Sequence, residues 1–195
     1  MAYRRLGNFE ESDRWAKISL DLKFNLDTIN ILLTNCISTS KPKEAILIWK
    51  NYRDQIQKIE ADKGNIYTNV LVAYFLIQQY SEAISELGNP WEIQTDLGSF
   101  FLNLACVYVK LEDTTSAIRA VMETLNRGYT VEKLAKDNDL KPLIVPNGIS
   151  VFIKKRFQRI CKRNIFQRKG LYRINTKSIR NYRTKNVCHE KYHTI

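Results

Sequence analysis

Tyr74–Ala83, YFLIQQYSEA, and Tyr108–Ala117, YVKLEDTTSA, share one layout written in different letters. Each begins on an aromatic ring, crosses a polar break and reaches an alanine nine residues on. Helical periodicity leads up to the break and resumes after it, so the ring closes one helix and the alanine lies in the next. A small residue there lets the preceding helix's bulky side chain come close, where a large one would clash. Each stretch is therefore predicted to be the turn of an antiparallel helical hairpin.

The layout occurs twice more, as Tyr3–Ser12 (YRRLGNFEES) and Cys36–Ala45 (CISTSKPKEA), and successive copies start 33, 38 and 34 residues apart. A near-constant internal period of this length is the mark of stacked helical hairpins. Gly7 and the Ser40-Lys41-Pro42 stretch suit helix ends and turns. Strand-like alternation is absent, so the fold class is all-α.

These residues resemble the tetratricopeptide repeat family, whose pattern is W-x2-L-G-x2-Y followed by A-x3-F. Phe101-x2-Leu104-Ala105-x2-Tyr108 with Ala117-x3-Val121 is one copy, and Tyr67-x2-Val70-Leu71-x2-Tyr74 with Ala83-x3-Leu87 is a second. Ile29-x2-Leu32-Leu33-x2-Cys36 with Ala45-x3-Trp49 is a looser third, and residues 2–25 look like the back half of a fourth. The segment from Asn103 to Leu143 is also similar to the terminal repeats of bacterial members. The resemblance implies a right-handed α-α superhelix (solenoid) of about 3.5 hairpins, with units at about 1–25, 26–63, 64–97 and 98–131 and a short capping segment over 132–148. Cys36 departs from the pattern's aromatic, and Ser12 and Ser19 from its alanines. Residues 50–63 add about one turn, expected to lengthen the second helix of that unit. The first unit has almost no first helix, which leaves an apolar face either for a longer array, of which the chain would be a fragment, or for a partner or a second copy.

Charge divides the chain. Residues 1–150 hold 17 Lys/Arg against 19 Asp/Glu, whereas residues 151–195 hold 14 Lys/Arg against Glu190 alone, so the net +11 belongs to the C-terminal part. Cys36, Cys106, Cys161 and Cys188 form no C-x-x-C pair, which argues against a disulfide framework or a four-thiolate zinc site. The N-terminus is charged from Arg4 and the longest apolar run, Val70 to Ile77, is too short for a bilayer. A cytoplasmic protein with no transmembrane segment is the expectation.

Nothing in residues 1–150 suggests catalysis or a cofactor: there is no histidine, phosphate loop or nucleophile signature. What the array offers is a binding surface. Side chains four apart share a helix face, and the third unit places Asn65 and Asn69 so, the fourth Ser99 and Asn103. Asn30 and Thr34 in the second are offset by three residues. Asparagine can hydrogen-bond an extended peptide backbone as both donor and acceptor, and the resemblance implies such a use on the concave face of the array. A terminal-carboxylate ligand is disfavoured, since Thr28–Cys36, Asn65–Leu76 and Ser99–Val109 contain no Lys or Arg. The expected function is a non-catalytic scaffold or adaptor that binds a peptide segment or protein partner.

Residues 149–163 read as a basic amphipathic capping helix, with Ile149, Phe152, Ile153, Phe157, Ile160 and Cys161 on one face. Residues 164–195 read as a basic, disordered tail. Lys154, Lys155, Arg159, Lys162, Arg163, Arg168, Lys169 and Arg173 support the alternative, contact with RNA or an anionic membrane. The tail also contains His189-Glu190-Lys191-Tyr192-His193, a literal H-E-x-x-H. A zinc protease needs a third ligand and a dry cleft around that motif, and the flanks supply neither. The match is read as accidental.

Overall fold

In the computed structural model residues 2–143 are described, and every regular element among them is helical. The all-α expectation is borne out. The expected segments 149–163 and 164–195, and residues 144–148, lie outside the described residues.

The helices are α1 Ala2–Arg5, α2 Phe9–Leu22, α3 Leu26–Ser38, α4 Pro42–Gln57, α5 Gly64–Leu76, α6 Tyr80–Leu87, α7 Gly98–Lys110, α8 Thr114–Asn126 and α9 Val131–Ala135, then a short 3-10 turn at Lys141–Leu143. Their starts follow local chemistry. Side chains of Asn8, Asn25, Asp113 and Thr130 accept hydrogen bonds from the first free N–H groups of α2, α3, α8 and α9. Pro42 opens α4, where its missing N–H costs nothing.

Helices pack in consecutive pairs, α1 on α2, α3 on α4, α5 on α6 and α7 on α8, and each pair packs on the next through α2–α3, α4–α5 and α6–α7. In addition α3, α5 and α7 pack side by side. The pairs share one turn. Gly7, Ser40, Gln78 and Glu112 all have positive φ, near 75°, 58°, 61° and 59°. Each stands four residues after Tyr3, Cys36, Tyr74 or Tyr108, and the next residue's N–H donates to that anchor's carbonyl at 2.7–3.0 Å. This six-residue closure is the Schellman pattern, and it reverses the chain within one left-handed residue. Five residues further on, Ala45, Ala83 and Ala117 are fully buried and Ser12 is buried too.

Both serine departures in the first unit carry hydrogen bonds across the α2–α3 seam. Fully buried Asn35 donates from Nδ2 to Ser12 Oγ at 2.9 Å and to Asp13 Oδ1 at 2.7 Å. Ser19 Oγ stands 3.5 Å from Thr28 Oγ1. The inserted residues extend α4 to 16 residues, with Ile56 fully buried in its last turn. By contrast α6 has only eight, because Gly88 turns the chain at φ 70° and Pro90 offers no N–H to continue it. The loop that follows is pinned by Trp91, stacked on Tyr108 at 6.0 Å and covered by the Arg119 guanidinium at 3.9 Å.

Gly64 and Gly98 open α5 and α7. A Cβ on Gly64 would stand 2.0 Å from Thr95 Oγ1, and one on Gly98 would stand 2.7 Å from the Tyr129 ring. In both units the loop 31 residues further on presses against the helix start. Among the described residues, no helix is long and apolar enough to cross a membrane.

Two stability outcomes follow from the turn and the residue behind it. Ala117→Leu, forced into a fully buried site, is expected to cost about 1–3 kcal/mol in chemical denaturation. Gln78→Gly removes a Cβ from a left-handed residue and is expected to add roughly 0.5–1 kcal/mol.

Candidate functional site

The unit-opening helices α3, α5 and α7 are chemically unusual. Between Thr28 and Ser38, across the whole of α5, and from Gly98 to Val109 there is no charged residue. Buried side chains fall on nearly every face of α5 and α7, because these helices are packed on both sides by other helices. Asn30, Thr34, Asn69, Ser99 and Asn103 are nonetheless half-buried rather than buried, and Asn65 is exposed. Polar groups therefore reach the surface of an otherwise apolar layer, with Ile31, Val72 and Leu102 half-exposed among them.

Three of the six are drawn together. Asn69 Nδ2 donates to Asn30 Oδ1 at 2.8 Å and to Thr34 Oγ1 at 3.1 Å. Thr34 in turn donates to the Asn30 carbonyl at 2.7 Å. The three-residue offset seen in sequence is thus bridged by the side-by-side packing of α3 and α5. With both amide hydrogens of Asn69 engaged, its Oδ1 remains as an acceptor, and Asn30 Nδ2 remains as a donor. Asn103 does not join them; its Nδ2 donates to the Ser99 carbonyl of its own helix at 2.8 Å. Its Oδ1 and second amide hydrogen are left over. The basic residues named for the alternative, Lys154 to Arg173, lie outside the described residues, as do His189 and His193.

A second polar centre has no counterpart in the sequence reading. Glu86 on α6 has 17% of its side chain exposed, and its Oε2 accepts from Trp49 Nε1 and Arg53 Nη1 of α4, each at 3.0 Å. Burial alone would push this carboxyl up, but the two hydrogen bonds and the Arg53 charge outweigh it and hold the group below the usual glutamate range. Burial, followed by the Glu86 charge, pushes the Tyr74 hydroxyl up to about 12. In sequence Glu86 is marked only by standing eight residues after the Gln78 turn and three after Ala83, which has no pattern of its own.

Beside these helices an open cleft of about 860 Å³ lies between residues 57–63 and 87–96. Glu60, Asp62, Glu92 and Asp96 line it, with Lys63 as the cation, over Tyr67 and Leu87. Two of the carboxylates serve the loops: Asp62 accepts from Gly64 N at 2.7 Å and Glu92 from Asn89 Nδ2 at 2.7 Å. Among the described residues no three His, Cys, Asp or Glu side chains stand together as metal ligands. Burial pushes the Cys36 thiol up to about 11 and the Cys106 thiol up to about 12, so both stay protonated at neutral pH.

Because the Glu86 carboxyl titrates lower in the folded chain than in the unfolded one, its contribution is complete above the ordinary glutamate range. It is lost as pH falls through the folded value. Glu86→Gln is therefore expected to flatten the loss of stability on acidification below about pH 5, read from urea midpoints across the acid limb. An unchanged slope would remove Glu86 from the acid response. No family model matches the chain, and no curated protein or solved structure matches it either.

Proposed function

We propose that the chain is a tetratricopeptide-type array of stacked hairpins that acts as a non-catalytic adaptor, binding an extended segment of a protein partner along α3, α5 and α7. The observation that carries this reading is the uncharged layer of three helices with half-exposed amides on it. An extended peptide offers alternating N–H and C=O groups. Asn30 Nδ2, Asn69 Oδ1 and Asn103 supply donors and acceptors to match, while Ile31, Val72 and Leu102 contact apolar side chains. The surface lacks the cations that a terminal carboxylate or a phosphate demands. Its ligand is therefore an internal, mostly uncharged segment.

The repeated left-handed turn, and the small residue buried five positions after it, support the repeat reading. The first unit contributes only the four-residue α1 as an opening helix.

A peptide selected by display against the full 195-residue chain tests the proposal. Asn69→Ala and Asn103→Ala are each expected to weaken its binding by roughly tenfold, the effect of one or two lost hydrogen bonds in a partly buried site. Raising salt from about 50 to 500 mM should change the affinity little. A steep loss with salt, abolished by deleting residues 164–195, would instead place recognition in the basic segment.

A further inference from the structure

One face of α2 is apolar and left uncovered by the described residues. Trp15 is 52% exposed, Ile18 39% and Leu22 84%. At about 100° per residue these three fall within an arc of about 60°. Ser12 and Ala16, which are buried, lie about 60° and 100° from Trp15 on the flank away from Ile18, where α3 packs. Isolated exposed apolar residues are ordinary, but three in line on one helix form a docking stripe.

The charges beside the stripe say what fits it. Arg14 and Asp21 are both exposed and seven residues apart, so they lie on the same flank within about 20° of each other. They stand almost symmetrically about Ile18. We infer that the stripe pairs with the same stripe of a second copy, the two α2 helices antiparallel and the twofold axis passing beside Ile18. In this register Trp15 of each copy covers Leu22 of the other and Ile18 meets its own counterpart. Arg14 of each copy faces Asp21 of the other, twice per dimer, with an offset of about one residue or 1.5 Å. A twofold axis across antiparallel helices brings like flanks together, as an isologous contact requires. A parallel pairing, with its twofold along the helices, brings unlike flanks together and leaves Arg14 and Asp21 of the two copies on opposite sides of the contact, without partners. Arg14 already touches Glu11 at 3.4 Å, but that pair is solvent-exposed and holds it weakly.

Three side chains per copy fall short of a standard interface of about 800 Å² per partner, so the dimer is weak, with a dissociation constant on the order of 10–100 µM. The inference is independent of the peptide-binding reading and needs no ligand to test.

Sedimentation of the full 195-residue chain over roughly 1 µM to 1 mM, a range that brackets a weak interface, is expected to show a monomer–dimer equilibrium. Trp15→Ser should weaken it at least about tenfold. Arg14→Asp and Asp21→Arg, each of which sets like charges face to face, should each weaken it by about tenfold. Mixing those two variants should restore association, because every facing pair is then of opposite charge. A monomer throughout overturns the inference, and so does a dimer indifferent to Trp15→Ser. Failure of the mixture to recover overturns the antiparallel register. A chain that stays monomeric while another polypeptide binds the stripe overturns it as well.

Discussion

The close approach of two helices across a left-handed turn is the constraint on which the rest of this chain depends. A helix pair joined by so short a reversal has no slack: the second helix must leave the turn already against the first. That is tolerable only if the residue about one turn into the second helix is small, and Ala45, Ala83 and Ala117 are fully buried there. The turn itself is strained for any residue but glycine, and three of the four carry Ser40, Gln78 or Glu112 instead. Side-by-side packing of α3, α5 and α7 follows from this, because each opening helix is held at a fixed distance from its own partner and hence from its neighbour. The short reach from Asn69 to Asn30 and Thr34 exists only at that spacing.

Stacked pairs built to one plan face a problem of register, since similar apolar seams are interchangeable. Several of these contacts carry a polar lock, and no two are alike. Between α2 and α3 buried Asn35 holds Ser12 and Asp13. Between α3 and α5 it is Asn69 with Asn30 and Thr34, and between α4 and α6 it is Glu86 with Trp49 and Arg53. Further on, Arg127 Nε donates to the Thr95 carbonyl at 3.1 Å and Lys110 pairs with Asp139 at 2.8 Å. Hydrogen bonds of this kind add modestly to net stability, but leaving one unmade in a buried seam costs considerably more. A mispaired array would leave several unmade at once.

The helices were legible in the sequence because helix, turn and small residue are all local: ten residues suffice to write each hairpin. The loops were not, because what shapes them is remote in the chain. Trp91 reads as an exposed loop tryptophan until Tyr108 and Arg119 are known to close on it. Gly64 and Gly98 read as helix-start glycines, and only the structure shows Thr95 and Tyr129 occupying the space a Cβ would take. A sequence signal did exist there, since the two glycines stand one repeat apart. The shortness of α6 does have a local signal, Gly88-Asn89-Pro90, which the spacing of the repeat pattern does not include. Of the six residues named for the binding face, spacing alone gave the shared face but not the hydrogen bonds. Which amide turns to a neighbour and which to its own helix depends on the stagger between α3, α5 and α7.

The chain's surfaces divide by the kind of discrimination each chemistry permits. On the proposed reading, a neutral face has no long-range field to draw a ligand in, so association would proceed at ordinary rates and selectivity would arise after contact. There the half-buried amides act chiefly against wrong ligands: a segment whose backbone cannot meet the Asn69 oxygen leaves that oxygen desolvated and unpaired, which costs more than the bond itself contributes. The α2 stripe discriminates in the opposite way. Its apolar residues accept any apolar surface, and only the opposed Arg14 and Asp21 charges distinguish one orientation from another. The longer opening helices keep their charges to the ends, Asp27 on α3 and Lys110 on α7, and most of the remaining charges of the described residues sit on the second helices and loops. That is where Arg14, Asp21, Glu86 and the carboxylates of the 57–63 and 87–96 loops are found.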